Sequence, residues 1–178
     1  TSGTTGQPKG AELSHSNMVM NAALSDRMYQ SKPDDVHLVS LPLFHSFGQT
    51  VQMNGAFYNG VTISLLPRFT PDDALGIMQR DNVTIFAGVP TMYWAMLNTP
   101  NVDKFDLEKI AENLRLCFSG GSAMPVELML AFDKKFGVFI LEGYGLSETS
   151  PVVCFSRLGI ERKPGSIGLP VWGIEMRV

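Results

Sequence analysis

The residues best suited to chemistry open the chain: Thr1-Ser2-Gly3-Thr4-Thr5-Gly6-Gln7-Pro8-Lys9-Gly10. Glycines at this density let successive backbone N–H groups turn toward one anion without side-chain clash. The hydroxyls of Thr1, Ser2, Thr4 and Thr5 add donors, and Lys9 adds a positive charge for phosphate oxygens. The alternative is a flexible Ser/Thr/Gly linker, but a linker has no need of Pro-Lys-Gly before a regular element. Nor is this the phosphate loop that ends in Gly-Lys-Ser/Thr, because Pro8-Lys9-Gly10 breaks that pattern. A second group is Glu142-Gly143-Tyr144-Gly145-Leu146-Ser147-Glu148-Thr149. A tyrosine between two glycines can present its ring for stacking on a base. Ser147 offers a hydroxyl to a phosphate, and Glu148 a hard oxygen ligand to Mg²⁺. A third is Phe118-Ser119-Gly120-Gly121-Ser122-Ala123-Met124-Pro125. Gly-Gly at the carboxyl end of a strand lets a flat ligand approach the backbone where α/β sheets bind ligands. Without a ligand, the second and third groups read as turns that follow strands.

Such loops need a framework, and the pattern between them supplies one. Nearly continuous apolar runs at 36–41, 61–66, 83–87, 114–118 and 138–141 predict strands buried on both faces. Helical patterns separate them. Residues 16–29 carry Met18, Ala22, Ser25 and Met28 at helical spacing, with Ser16 or Ser14 as cap. Pro71 opens a helix over 72–80 whose early Asp residues suit its amino end. Residues 90–97 and 125–136 begin with proline in the same way, and Gly137 stops the second. This alternation predicts an α/β fold, a mainly parallel sheet flanked by helices. The polar stretch from Asn98 to Asp106 reads as a surface connection.

Composition excludes several classes. The chain has 178 residues, 44% of them hydrophobic, which suits one sizeable folded core rather than disorder. A formal charge of −3 gives no broad basic field, so nucleic acid is not an expected partner. No apolar run reaches the length of about 18–20 residues that a membrane helix needs. The chain opens directly into the first loop, and no signal peptide is expected. Cys117 and Cys154 sit in apolar surroundings without metal-ligand spacing, so both read as buried, reduced thiols and favour a cytoplasmic setting. His15 and His37 read as ordinary surface or capping residues.

Taken together and in this order, the three groups resemble the signatures of the adenylate-forming superfamily of acyl-CoA synthetases, adenylation domains and firefly-type luciferases. Fatty acyl-CoA synthetases of the long-chain-fatty-acid–CoA ligase type are the nearest in pattern. Gly165-Ser166-Ile167-Gly168-Leu169-Pro170 resembles a further motif of that family, with glycines that shape turns. Leu41-Pro42-Leu43-Phe44-His45-Ser46-Phe47-Gly48 resembles the segment that places a histidine or aromatic residue near the carboxylate and acyl pocket. His45 would gate that pocket or contact the carboxylate; the alternative is a cap on the following helix.

The resemblance implies the central part of a large N-terminal domain: residues 1–178 as a single AMP-binding fragment that begins in the phosphate loop and ends before a ribose-binding Asp and a C-terminal domain. It implies that Thr1, Ser2, Gly3, Thr4, Thr5, Gly6 and Lys9 wrap the pyrophosphate of ATP. Gly120, Gly121 and Ser122 would border adenine and the acyl group. Tyr144, between Gly143 and Gly145, would pack on adenine, Ser147 would touch the α-phosphate, and Glu148 would bind Mg²⁺. Ser147 stands where the family more often has threonine.

The implied reaction has two steps. A carboxylate attacks the α-phosphorus of ATP to give an acyl-adenylate, and CoA then takes the acyl group. The chain alone is expected to show negligible turnover, and self-association of the fragment is plausible. His45 in place of the Asp usual in amino-acid adenylation, and Leu146 in place of Pro, favour an acyl or aryl acid. Expected wall residues are Phe47, Val51, Met53, Phe86, Gly88 and Gly120, which suit a medium or long fatty acyl chain. The alternatives are a non-catalytic adenylate-binding module and an acyl- or aryl-AMP ligase that feeds a carrier protein.

Overall fold

A computed structural model describes residues 6–177. Seven strands form one mixed sheet in the order β2-β1-β3-β4-β5-β6-β7. They are β1 (Val36–Val39), β2 (Thr62–Leu65), β3 (Ile85–Gly88), β4 (Leu116–Ser119), β5 (Ile140–Gly145), β6 (Val152–Phe155) and β7 (Leu169–Pro170). The pairs from β2 through β5 are parallel. β6 and β7 add antiparallel at the β5 edge. The five expected strands are the five parallel ones, and the antiparallel edge is new.

Helices α1 (His15–Tyr29), α2 (Gly55–Asn59), α3 (Pro71–Asp81), α4 (Pro90–Asn98), α5 (Leu107–Asn113) and α6 (Val126–Phe136) cover the sheet. Their ends follow local chemistry. Ser14, rather than Ser16, caps α1, in a reciprocal pair of hydrogen bonds with Asn17. Thr70 caps α3, whose first residue is Pro71 and whose first turn holds Asp72 and Asp73. Gly137 ends α6 at φ 68°, a left-handed conformation that costs glycine nothing.

Two apolar clusters lie on opposite faces of the sheet. One joins Leu75 and Met78 of α3, Tyr93 and Met96 of α4, Ile110 of α5 and Phe132 of α6 to Leu38, Phe86, Cys117 and Ile140. The other joins Leu24 and Met28 of α1 and Val51 to Ile85, Leu116, Phe118, Leu141 and Phe155. Both cysteines are buried free thiols, as expected. A π-helical segment, Phe47–Asn54, runs straight into α2 on the second face. Tyr29 donates its hydroxyl to the Val51 carbonyl at 3.2 Å, which serves one backbone acceptor of that segment.

The connection after α4 is more than a surface loop. It contains a short 3₁₀ turn, Val102–Lys104, in which Val102 is buried. The Asp72 carboxylate accepts hydrogen bonds from Thr99 and Asn101, both at 2.6 Å, and ties this connection to α3.

His37 departs from expectation. It lies in β1, only 3% exposed, with its ring against Tyr29 and no partner for Nε2. Burial lowers its pKa from 6.5 to about 4, against a raising influence of Asp35. A surface reading failed because β1 lies inside the sheet and is covered on both faces.

The two ends of the parallel strands are secured differently. At the amino ends, the buried Asp35 carboxylate pairs with Arg115, and Arg115 also donates to the carbonyls of Tyr29 and Gln30. Burial opposes the charge on Asp35. Hydrogen bonds from Arg115, the Lys32 amide and Thr84 outweigh it and hold the carboxyl below its ordinary pKa. At the carboxyl ends, buried side chains bridge the strands. Gln52 donates to the carbonyls of Leu38 and Ala87, at 3.2 and 3.0 Å. From the other face, Tyr93 donates to Phe86 and Phe118, at 3.3 and 2.7 Å. Among the described residues, no helix is long and apolar enough to cross a membrane.

Candidate active site

The carboxyl ends of β4 and β5 and the amino end of the π-helical segment enclose a cavity of about 260 Å³. Three sequence groups meet there. His45, Ser46, Phe47 and Val51 form one wall, Ser119 to Gly121 form the floor, and Gly143 to Glu148 form the opposite wall. Phe118, Pro151, Val152 and Phe155 complete the lining. The position at strand carboxyl ends is where α/β sheets bind ligands.

Each wall has a local cause. After β4 the chain turns through Gly120 and Gly121, and Gly121 adopts φ +81°, which a side chain would strain. A Cβ on Gly120 would stand 3.2 Å from the Phe47 ring and 3.3 Å from the Gly143 carbonyl, so the floor depends on its absence. In β5 the antiparallel register with β6 shifts between Tyr144 and Gly145. Such irregularities bend a strand and re-aim a side chain. The Tyr144 ring lies 40% exposed at the cavity. Leu146 to Thr149 form a tight turn, in which Thr149 bonds both the Leu146 amide and carbonyl through its hydroxyl.

His45 serves two purposes. Its Nδ1 accepts the Phe47 amide at 3.1 Å, so it does cap the following helical segment. Accepting at Nδ1 requires the neutral ring to carry its proton on Nε2. His45 therefore lines the cavity with a hydrogen-bond donor to offer, a role suited to a carboxylate.

Ser46 and Ser147 meet at the cavity lining, with hydroxyl oxygens 3.3 Å apart. Behind the wall, Glu142 is buried, and burial raises its carboxyl pKa against the N–H donors of Gly165 and Met124. Gly165 donates to this carboxylate at 3.0 Å. A Cβ on Gly168 would strike the Phe155 backbone. The Gly165 to Pro170 motif is thus a turn packed against the site rather than a lining of it.

The expected site residues divide accordingly. His45, Gly120, Gly121, Gly143, Tyr144, Gly145, Ser147 and Glu148 share the cavity. Ser122 is exposed and stands off its wall, as do Gly6 and Lys9. Thr1, Ser2, Gly3, Thr4 and Thr5 lie outside the described residues. Of the expected acyl walls, Phe47, Val51 and Gly120 are present, while Met53, Phe86 and Gly88 are not. Phe86 pairs in register with Cys117, one residue out of step with Phe118, so strand alternation turns it to the opposite face. Phe118, Val152 and Phe155 were missed as walls. The apolar run Val152-Val153-Cys154-Phe155 was the available signal for the last two.

The donor set can be tested against a metal. Among the described residues, no group of three or more His, Cys, Asp or Glu side chains could hold an ion. Among the described residues, Glu148 is the single carboxylate on the cavity wall. One carboxylate fits Mg²⁺, which keeps several waters and is commonly held by one or two carboxylates plus a ligand's phosphates. It does not fit a protein cage for a free ion.

Comparison with known proteins agrees with this geometry. The family described as AMP-binding enzyme matches residues 1–178. A long-chain-fatty-acid–CoA ligase of Bacillus subtilis (strain 168) is 40% identical over 172 residues, 96% of this chain and 30% of that protein. The crystal structure of ATP-bound MatB from Rhodopseudomonas palustris superposes with a TM-score of 0.86 at 33% identity, over 96% of this chain and 33% of that one. The anthranilate CoA ligase AuaEII in complex with anthranoyl-AMP gives 0.87 at 32% identity, over 97% of this chain and 33% of that one. The chain thus spans about a third of the length of the relatives it matches.

Proposed function

The chain belongs to the AMP-binding enzyme family, and from that premise we propose that it forms the nucleotide- and acid-binding centre of an ATP-dependent acyl-CoA synthetase. The observation that carries this reading is the cavity itself. It unites a stackable tyrosine, a phosphate-seeking hydroxyl, one carboxylate and a histidine donor with an apolar wall. These side chains come from segments about a hundred residues apart.

In this reading the physical task is to bring an anionic acid against an anionic polyphosphate. Tyr144 holds the adenine ring. The Ser147 hydroxyl donates to the α-phosphate, and Glu148 would hold Mg²⁺, whose charge would offset the repulsion. When bound, Mg²⁺ would supply positive charge against that of the phosphates. The first loop, Thr1 to Gly6 with Lys9, is assigned to the pyrophosphate. His45 donates from Nε2 to the acid's carboxylate. The acyl group lies among Phe47, Val51, Phe118 and Phe155. No side chain needs to become a covalent nucleophile, because positioning and electrostatics supply the rate. CoA is the acceptor in the complete protein. Residues 1–178 serve as one AMP-binding unit of that protein.

A fatty acyl chain is the preferred substrate. The apolar wall and the likeness to the Bacillus subtilis ligase both support it. An aryl acid is the second reading, favoured by the rings that line the cavity. Phe47 and Phe155 stand with centroids 6.0 and 5.5 Å from that of Phe118.

Calorimetric titration with non-hydrolysable dodecanoyl- and benzoyl-adenylates in the presence of Mg²⁺ tests both points. Saturable binding is expected, with the dodecanoyl compound tighter. Tyr144→Ala should weaken both by about tenfold or more, the scale of a lost base stack. Tighter binding of the benzoyl compound would favour the aryl reading. No binding by the folded chain would remove the proposed centre.

A further inference from the structure

We propose that Ser46 is a positioning residue that orients the Ser147 hydroxyl toward a bound phosphate. The inference rests on the reading of Ser147 given above. Three observations lead to it. Ser46 occupies the cap position of the π-helical segment, where a serine ordinarily spends its hydroxyl on a backbone amide. Here it makes no capping bond. Instead its Oγ stands 3.3 Å from the Ser147 Oγ, on a segment 101 residues away. Ser147 is also spared by its own turn, which Thr149 holds together through the Leu146 amide and carbonyl.

The chemistry of two facing hydroxyls gives the direction. A hydroxyl has one proton and two lone pairs. If Ser147 donated to Ser46, its proton would be lost to the phosphate. A bound phosphate accepts but cannot donate, so it selects the opposite order. Ser46 then donates to a lone pair of Ser147, and Ser147 donates its proton to the phosphate. Each bond polarises the next. Serine also lacks the γ-methyl that restricts χ1 in threonine, so an unaided Ser147 would sample several rotamers. The Ser46 contact holds it in the one that faces the cavity, at no cost to the turn.

The test is titration of the full chain with AMP and with adenosine, followed by protein NMR, which reads dissociation constants into the millimolar range. Ser46→Ala should weaken AMP binding by about 3- to 10-fold, the scale of one net hydrogen bond, and leave adenosine binding unchanged. Ser147→Ala should do the same, and the double variant should lose no more than the larger single loss. In a Ser147→Thr background, whose hydroxyl is held by its own methyl, Ser46→Ala should cost less than twofold.

Equal weakening of AMP and adenosine, additive losses, or an undiminished cost in the threonine background would each overturn the proposal. An effect of Ser147→Ala without one of Ser46→Ala would overturn it alone. No effect of Ser147→Ala on AMP would overturn the role given to Ser147, and this proposal with it. A folded wild-type chain that shows no AMP-dependent shifts would overturn both.

Discussion

His37 shows how one side chain can set a pH limit. Its folded pKa of about 4 lies below the ordinary 6.5 because burial penalises the charged ring. The folded ring is therefore neutral between those values, while the unfolded ring takes up a proton. The unfolded state binds more protons, so stability falls as pH drops from about 6.5 toward 4. The loss on reaching pH 4 is about 3 kcal/mol, a sizeable part of the roughly 5–15 kcal/mol that holds a domain together. Asp35 is a separate contribution, lost only below the ordinary carboxylate range, since its pKa is lowered. His37→Phe keeps a ring against Tyr29 and cannot titrate. Urea unfolding at pH 7, 5.5 and 4.5 should show a falling midpoint in the wild type and a nearly level one in the variant. Parallel slopes in the two proteins would exclude His37 as the cause.

Tyr93 offers a prediction about elements. Its hydroxyl bonds the carbonyls of Phe86 in β3 and Phe118 in β4, near the carboxyl ends of both strands. Tyr93→Phe should cost about 1–3 kcal/mol in chemical denaturation, because it leaves buried acceptors without that donor. An unchanged midpoint would mean that those carbonyls are already satisfied. Such bridging explains what was and was not legible in the sequence. The five parallel strands announced themselves as apolar runs, α3 by its proline and early aspartates, and α6 by its proline and Gly137. The bridges did not, because nothing near Gln52 or Tyr93 in the sequence names a carbonyl on another strand. The π-helical segment was hidden for a related reason. Its three apolar residues, Phe47, Val51 and Met53, are too few to set a period, and its Val51 carbonyl is served by Tyr29, 22 residues away. β6 was short and read as surroundings for Cys154. Of the site, the loops carried their chemistry in plain order, whereas the walls Phe118 and Phe155 depended on which face each strand presents.

For the whole molecule, the sheet is locked at one end and open at the other. Arg115 ties β4 to the end of α1 and to Asp35 just before β1, across 80 to 86 residues. Arg115→Ala should cost about 3–5 kcal/mol, because it strands a buried carboxylate. Adding Asp35→Asn should recover part of that loss. A double variant less stable than the single one would mean that Asp35 has other partners sufficient to hold its charge. Neither Arg115 nor Asp35 lines the cavity, so either variant that folds should retain its affinity for AMP.

The pairing of Ser46 with Ser147 has a kinetic consequence. Two walls drawn from opposite halves of the chain cannot meet until most of the intervening strands are in place, and closing so long a loop is entropically slow. A partly folded intermediate holding either half would have nothing to grip a nucleotide with. Ligand affinity therefore reports completed folding, and a nucleotide that bridges the walls would act as a late staple, slowing unfolding more than it speeds folding.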